Sequence, residues 1–346
     1  MEKTGVINWR DGKRNVDGRA RPYFAAIARE RVELAGKAPG ARCSKMPAVS
    51  RYFQLTAATL THKMLDLSST SLLCLDTRNP ELAVTVMQRC MAGTRFCEAV
   101  LLTHADFKCS DPRIAIHPVA PLRNVTEYSN FMVKELGRHF RGSHVLVVQW
   151  DGFILDPAAW DPACLDYDYV GAPWPHTRHP VGNGGFSLRS RKLVDALQDP
   201  DICELQPEDY CICDLYHDLL VSRYGIRFAP VELASRFAFE LIPPTGPTFG
   251  FHGFFNLHLA LTDTEGVDYL DQVKPDGFVS RMGRQTLKSL YRSGHYRSAG
   301  RILRVRASTG HIRQRLDAMK LYCRLGVHRF RNLLRPKRRN PLFRQH

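Results

Sequence analysis

Two periods of apolar residues alternate along the middle of the chain. Leu72-Leu-Cys-Leu-Asp76 is a short apolar run of strand type, and the turn Thr77-Arg-Asn-Pro80 puts proline where a helix would begin. From Glu81 to Met91, Leu82, Val86 and Met87 share one helical face, and Ala99-Val-Leu-Leu-Thr103 is a second strand. Strand, helix, strand in this order predicts a parallel sheet with crossover helices. A helix is predicted over Ser129–Phe140, with Phe131, Met132, Leu136 and Phe140 on its apolar side. After a break at Gly142 and Ser143, His144–Gln149 is apolar on both faces, as in the central strand of a covered sheet. A short helix is expected over Arg191–Leu197. A longer one spans Pro207–Tyr224, with Ile212, Leu215, Tyr216, Leu219 and Leu220 three or four apart and Gly225 set to stop it.

Residues 1–66 show no sustained period and mix basic residues with Gly, Ala and Pro, so they are expected to form a poorly ordered extension. Residues 284–334 are helical in pattern. The expected organisation is therefore an extension (1–66), an α/β domain (67–280) and a basic helical tail (281–346). Within the tail, Leu287, Leu290, Tyr291, Gly294, Tyr296, Ala299, Ile302 and Leu303 resemble one helical hairpin of tetratricopeptide type.

With 346 residues, 44% hydrophobic and 24% charged, the composition excludes wholesale disorder and a disulfide mini-scaffold. No apolar run is long enough to span a bilayer as a helix, and Met1 to Lys13 carry no apolar stretch; a cytoplasmic location is expected. The ten cysteines include no C-x-x-C pair and are expected to be reduced core thiols. The formal charge of +15 is local: residues 281–346 hold 19 Lys and Arg against the single acid Asp317, whereas residues 1–280 sum to −3. The tail mixes apolar and cationic residues, as in His328-Arg-Phe-Arg-Asn-Leu-Leu-Arg, which suits either a solvated charged helix or a peripheral membrane segment on an anionic leaflet.

Four segments can carry chemistry. Gln149-Trp-Asp151-Gly152 closes the most apolar strand, and ligand sites of open α/β sheets lie at such carboxyl ends. A carboxylate there is a hard ligand suited to Mg²⁺ or Mn²⁺, or else a cap for the following turn. Val181-Gly-Asn-Gly-Gly-Phe-Ser-Leu-Arg-Ser-Arg191 allows close backbone approach to a ligand and offers a helix start to an anion, or is a tight hairpin. Glu208 and Asp209 open the Pro207 helix, where acids offset the helix dipole or one of them serves as general base. Thr248-Phe-Gly-Phe-His252-Gly253 holds a histidine between glycines, as a packed residue or a ligand on a mobile loop. His176-Thr-Arg-His179 lies in a Pro-rich loop with no helix or strand to fix it, and is not read as a metal site. Asn124-Val-Thr126 matches a glycosylation sequon, irrelevant in a cytosolic chain.

Taken in order, V-L-V-V-Q-W-D-G-F (145–153), D-Y-V-G-A-P-W-P (168–175), the 181–191 segment, P-E-D-Y-C-I-C (207–213) and F-G-F-H-G (249–253) resemble a bacterial and fungal family of glycosyltransferase-like proteins. The resemblance covers roughly residues 70–260. The order is also similar to metal-dependent GT-A glycosyltransferases of the beta-1,3-galactosyltransferase and Fringe kind. That implies a mixed, mostly parallel sheet with helices on both faces. It also implies a divalent metal, Mn²⁺ or Mg²⁺, held by Asp151 and His252, and a base at Asp209 beside Glu208. A nucleotide-sugar donor would then meet Thr77, Arg78, Gln149, Asn183, Gly184 and Gly185, and Trp174 would stack on the acceptor sugar or else be buried. Gln149 stands where those enzymes carry the first Asp of D-x-D. The implied activity is inverting transfer from a nucleotide-sugar, UDP-linked, to a glycan, glycolipid or surface-polysaccharide precursor. A sugar-nucleotide-binding protein without turnover, and a nucleic-acid-binding protein acting through the tail, are the alternatives; no nucleic-acid motif favours the second.

Overall fold

The computed structural model describes residues 64–309 and 312–333, so nearly all of the extension expected over 1–66 lies outside the described residues. The chain divides into two compact units, Met1–Gly253 and Phe254–His346.

The first unit is built on a six-stranded sheet in the order β3-β2-β1-β4-β6-β5. β1 (Leu65–Leu75), β2 (Thr94–Thr103), β3 (Ile114–Pro118) and β4 (His144–Val148) run parallel. β6 (Phe186–Ser190) is antiparallel to β4 and to the short β5 (Tyr169–Val170). The fold is thus mixed α/β with a mostly parallel central sheet. Its helices include α1 (Pro80–Met91) between β1 and β2, and α2 (Val125–Asn130), α3 (Arg191–Ala196), α4 (Glu208–Tyr210), α5 (His217–Tyr224) and α6 (Val231–Phe237). On one face, Leu73, Val100, Val145 and Val147 pack with Met132, Leu136 and Phe140. The intervening residues Leu72, Cys74, Leu146 and Val148 point the other way and are equally buried, which is why β4 carries no polar alternation.

Three segments depart from the expectations. The helix expected from Ser129 starts at Val125, where the Asn124 side chain accepts from the Glu127 amide and caps it. It then passes through a wide turn over Phe131–Glu135 and a tight one over Leu136–Arg138. Phe186–Ser190, read as the approach to a helix, is a fully buried strand. The Pro207–Tyr224 helix is three pieces: α4, a wide turn over Cys211–Leu215 in which Tyr216 N bonds to Cys211 O (3.0 Å), and α5. Gly225 ends α5 at φ 60°, as expected.

The strand order reverses between β1 and β4, which are neighbours in the sheet with Cys74 opposite Val148. Ligands of open α/β sheets bind in the crevice at such a switch point. β6 runs the other way, with Phe186 opposite Val148, so residues 183–185 reach the same edge as Gln149 and Asp151. A two-stranded parallel ribbon, β7 (Ala238–Phe239) with β8 (Gly250–Phe251), brings in the last segment; Gly250 bridges to Ile154, and Gly253 N bonds to Asp151 O (2.9 Å).

The second unit is helical: α7 (Leu257–Ala260), α8 (Asp263–Gln272), α9 (Pro275–Val279), α10 (Arg281–Arg292), α11 (Tyr296–Thr309) and α12 (Ile312–Leu333). α10 and α11 form the expected hairpin, with Leu287, Leu290, Ala299 and Ile302 buried. The break expected at 280 lies inside this unit. His295 Nε2 meets Leu261 O (3.0 Å), Ser298 N bonds to Asp263 (2.8 Å), and Arg306 donates to Phe278 O (2.7 Å), tying residues 254–280 to the tail helices.

Candidate active site

At the carboxyl end of β4, Asp151 Oδ1 lies 3.2 Å from His252 Nε2, and Gln149 Oε1 lies 3.3 Å from the same nitrogen. Gln149 is oriented by its own amide, whose Nε2 donates to the Tyr128 hydroxyl (2.7 Å). On the far side of the ring, Glu240 Oε1 stands 3.4 Å from His252 Nδ1. Burial disfavours charge on this imidazole, but the carboxylates of Asp151 and Glu240 outweigh it and hold the His252 pKa well above the usual histidine range.

The glycine segment closes over this cluster. A Cβ on Gly185 would stand 2.1 Å from His252 Nε2, and one on Gly184 would stand 1.9 Å from Glu208 Oε1. A side chain at either position would have to displace His252 or the Glu208 carboxylate. Asn183 sits at φ 70°, and its Oδ1 accepts from the Gly185 amide (3.0 Å). Asn183 Nδ2 is buried without a hydrogen-bond partner, as is Arg189 Nη1. Unpaired buried donors cost free energy, and both lie on or beside the glycine segment.

The two acids of α4 take different roles. Glu208 is buried and paired with the fully buried Arg189 at 3.0 Å. Asp209 accepts from the backbone amides of Gly184 (3.4 Å) and Tyr210 (2.9 Å). Among the described residues, no Lys or Arg pairs with Asp209. Burial, then the charges of Glu208 and Glu240, push its pKa up to about 7. A carboxylate poised there can take a proton at neutral pH. The expectation of Glu208 as a catalytic partner meets a contrary geometry: its charge is spent on Arg189.

The donor set Asp151 Oδ1, Gln149 Oε1 and His252 Nε2 fits a divalent cation. The spacings of 3.2 and 3.3 Å are close to the edge of an octahedron with bonds of about 2.1 Å, which is about 3.0 Å. Carboxylate, amide oxygen and imidazole suit Mn²⁺ or Mg²⁺, and Glu240 behind His252 is the orienting carboxylate that metal-bound histidines usually carry. Binding requires the neutral ring, so a cation would take the place of the proton that these acids now favour.

Thr77 and Arg78 follow β1 at the same sheet edge; the Thr77 hydroxyl accepts from Leu122 N (3.0 Å), and the Arg78 side chain is exposed. Trp174 is different. Its ring lies where a Gly182 Cβ would be (2.4 Å) and it is 3% exposed, so it offers no face for the acceptor sugar expected there. Sequence reasoning missed Tyr128, Arg189 and Glu240. Glu240 had one signal, a lone acid after the apolar run Phe237-Ala-Phe239.

Residues 113–252, less than half of the chain, match the family described as "Protein of unknown function (DUF5672)". No curated protein matches the chain in sequence. Among solved structures, the galactosyltransferase LgtC with donor and acceptor sugar analogs is 14% identical, covering 53% of this chain and 86% of its own at a TM-score of 0.34. An active-site mutant of LgtC is 14% identical, covering 58% and 94% at 0.37. The mannosyltransferase PcManGT from Pyrobaculum calidifontis, with GDP-Man and Mn²⁺, is 14% identical, covering 92% and 91% at 0.33.

Proposed function

We propose that this chain is an inverting glycosyltransferase that moves a sugar from a nucleotide-sugar, UDP-linked, to a hydroxyl of a glycan or lipid-linked acceptor. One observation carries the reading. Asp209, a carboxylate with its pKa raised to about 7, shares the Gly184–Gly185 segment with a metal-ready triad of Gln149, Asp151 and His252.

Asn183, Gly184 and Gly185 line the donor, where the unpaired Asn183 Nδ2 supplies a hydrogen bond to a sugar hydroxyl. Thr77 and Arg78 face the nucleotide diphosphate from the β1 side. A divalent cation held by Asp151, His252 and Gln149 would neutralise charge building on the diphosphate. Ionised Asp209 takes the proton of the acceptor hydroxyl as its oxygen bonds to the anomeric carbon and the bond to the diphosphate oxygen breaks. A single displacement with one base inverts the anomeric centre. Glu208 acts through Arg189 as a positioning residue for the glycine segment, since Arg189 also donates to Gly184 O (3.3 Å).

The test is thermal shift and turnover with UDP-sugars and GDP-sugars, with and without Mn²⁺, on the wild type and Asp151→Asn. The expected result is Mn²⁺-dependent stabilisation by UDP and sugar transfer, both lost in the variant. A wild type that no nucleotide diphosphate stabilises, with or without Mn²⁺, overturns the reading.

A specific surface favours an acceptor presented on a lipid. On α12, Ile312 (70% exposed), Leu316, Met319 (61%) and Cys323 share one face, opposite the buried Ala318 and Leu321. Arg313, Arg315, Lys320 and Arg324 flank that face and are also exposed. An apolar stripe edged by cations suits the headgroup layer of an anionic bilayer, at about 1 kcal/mol per Lys or Arg near the surface. No helix among the described residues is long and apolar enough to cross a membrane. Co-sedimentation with phosphatidylserine vesicles should fall when Leu316 and Met319 are both changed to Asp; unchanged binding removes this part of the proposal.

A further inference from the structure

A carboxylate presents oxygen to a cation whichever way it turns. A glutamine presents oxygen in one rotation and an NH₂ group in the other. Gln149 is the amide of the Gln149–Asp151–His252 triad, so whatever fixes its rotation decides whether it can act as a ligand at all. In the structure Gln149 Oε1 lies 3.3 Å from His252 Nε2, and Gln149 Nε2 donates to the Tyr128 hydroxyl at 2.7 Å. The reverse rotation would set the amide N–H groups against the protonated His252 ring, or against a cation in place of its proton.

Tyr128 is anchored from several directions. Its ring packs on the cluster that holds Leu73, Met132 and Val147. Its helix, α2, is capped by Asn124 and pinned at Thr126, whose hydroxyl donates to Gln206 Oε1. The chain then enters the wide turn Phe131–Glu135, and turns of this kind cluster at functional sites. Burial, then the negative charge of Glu208, raise the pKa of the Tyr128 hydroxyl above the ordinary tyrosine range, so it stays a phenol.

We infer that Tyr128 is a positioning residue that sets the polarity of the Gln149 amide. With the phenol proton drawn toward the Glu208 charge, the phenol oxygen is left to accept from Gln149 Nε2. Gln149 Oε1 is then left to face His252 and Asp151. Glu208 thereby acts on the cation edge as well as on the glycine segment, through two neutral side chains. The consequence for metal binding rests on the cation proposed for this edge; the amide polarity is a property of the chain without an ion.

The experiment has two arms. In the first, the ¹⁵N side-chain amide spectrum of the full chain is recorded without metal, and the Gln149 signals are identified by their loss in Gln149→Glu. One N–H of Gln149 should be protected from solvent exchange in the wild type and exchange faster in Tyr128→Phe. In the second, calorimetry measures Mn²⁺ affinity of the wild type, Tyr128→Phe, Gln149→Glu and the double variant. Tyr128→Phe should weaken Mn²⁺ binding about 10-fold or more, as loss of an orienting partner does. Most of that loss should vanish in the Gln149→Glu background, where both oxygens are equivalent and no rotation needs fixing. A merely structural role for Tyr128 would give the same factor in both backgrounds, to within about 2-fold. That result overturns the inference, as does an unprotected Gln149 amide in the wild type or protection that survives in Tyr128→Phe. A wild type that takes no Mn²⁺ overturns the cation at this edge, and the amide spectrum alone then decides the role of Tyr128.

Discussion

The two units each pair an acid with arginine, and they do it to different ends. In the helical unit Asp317 is the single acid among 19 basic residues of the tail, and it is shared by Arg284 (2.8 Å) and Arg306 (3.1 Å). Both of its oxygens are used to join α10, α11 and α12. At the sheet edge the acids outnumber the cation: Arg189 neutralises Glu208, while Asp209 is left to two backbone amides. An acid matched by arginine is architecture. An acid left with a pKa of about 7 is available for chemistry.

Asp209→Asn presses hardest on that contrast. Turnover should drop roughly 10²–10⁴-fold, the range of a lost general base, with nucleotide and Mn²⁺ binding little changed in a calorimetric titration. The wild-type rate should rise with pH through about 7, because Asp209 must lose its proton to act. Stability has the opposite sign. A carboxyl raised from 3.8 to about 7 binds its proton more tightly when folded, so it destabilises the fold as pH climbs through that window. Asp209→Asn should accordingly gain stability at pH 8 relative to the wild type and gain none at pH 3.

Arg189→Leu attacks the architectural acid instead. It leaves Glu208 buried without a counter-charge, and such losses cost about 3–5 kcal/mol. Urea denaturation should register that loss, and the added change Glu208→Leu should recover much of it. A cost below about 1 kcal/mol would mean that the pair is not what holds Glu208.

A smaller effect is expected of Gly185→Ala, whose methyl group would displace the His252 ring it meets at 2.1 Å. Metal affinity should fall about 10- to 100-fold, as for a misplaced ligand shell, with the melting temperature changed less than by Arg189→Leu. Least of all, Asp317→Asn should destabilise the helical unit by about 1–2 kcal/mol and leave nucleotide binding intact. If it abolished nucleotide binding, the division of labour between the two acids would be wrong.

The centre of the parallel sheet was legible because the carboxyl halves of β1 (Leu72–Leu75) and β2 (Ala99–Leu102) and most of β4 (Val145–Val148) are continuous apolar runs between turn signals. The edge strand β3 (Ile114–Pro118) gave no such run. β6 was not legible, because Phe-Ser-Leu-Arg-Ser alternates over only four residues next to a glycine turn, and its polar residues Ser187, Arg189 and Ser190 are buried rather than facing solvent. The partner Glu208, 19 residues away, supplies the counter-charge for this buried arginine. The wide turn over Cys211–Leu215 left no trace either, since its apolar spacing continues the helical pattern of α4 into α5. Asp151 and His252 stood out by type and neighbouring glycines, and Asp209 by its place in the first turn of a helix. Glu240 and Tyr128 act by orienting others, and orientation depends on what folds beside them.

Gln149 and His252 lie 103 residues apart in sequence, and the contact between them closes only when the β7–β8 ribbon has reached the edge of β4. Such long-range closure costs chain entropy before any contact rewards it. A nascent or partly folded chain therefore holds Asp151 without its histidine. At the cation site proposed above, capture of a divalent ion would therefore come after that closure, and its rate after dilution from denaturant would report when the ribbon reaches β4.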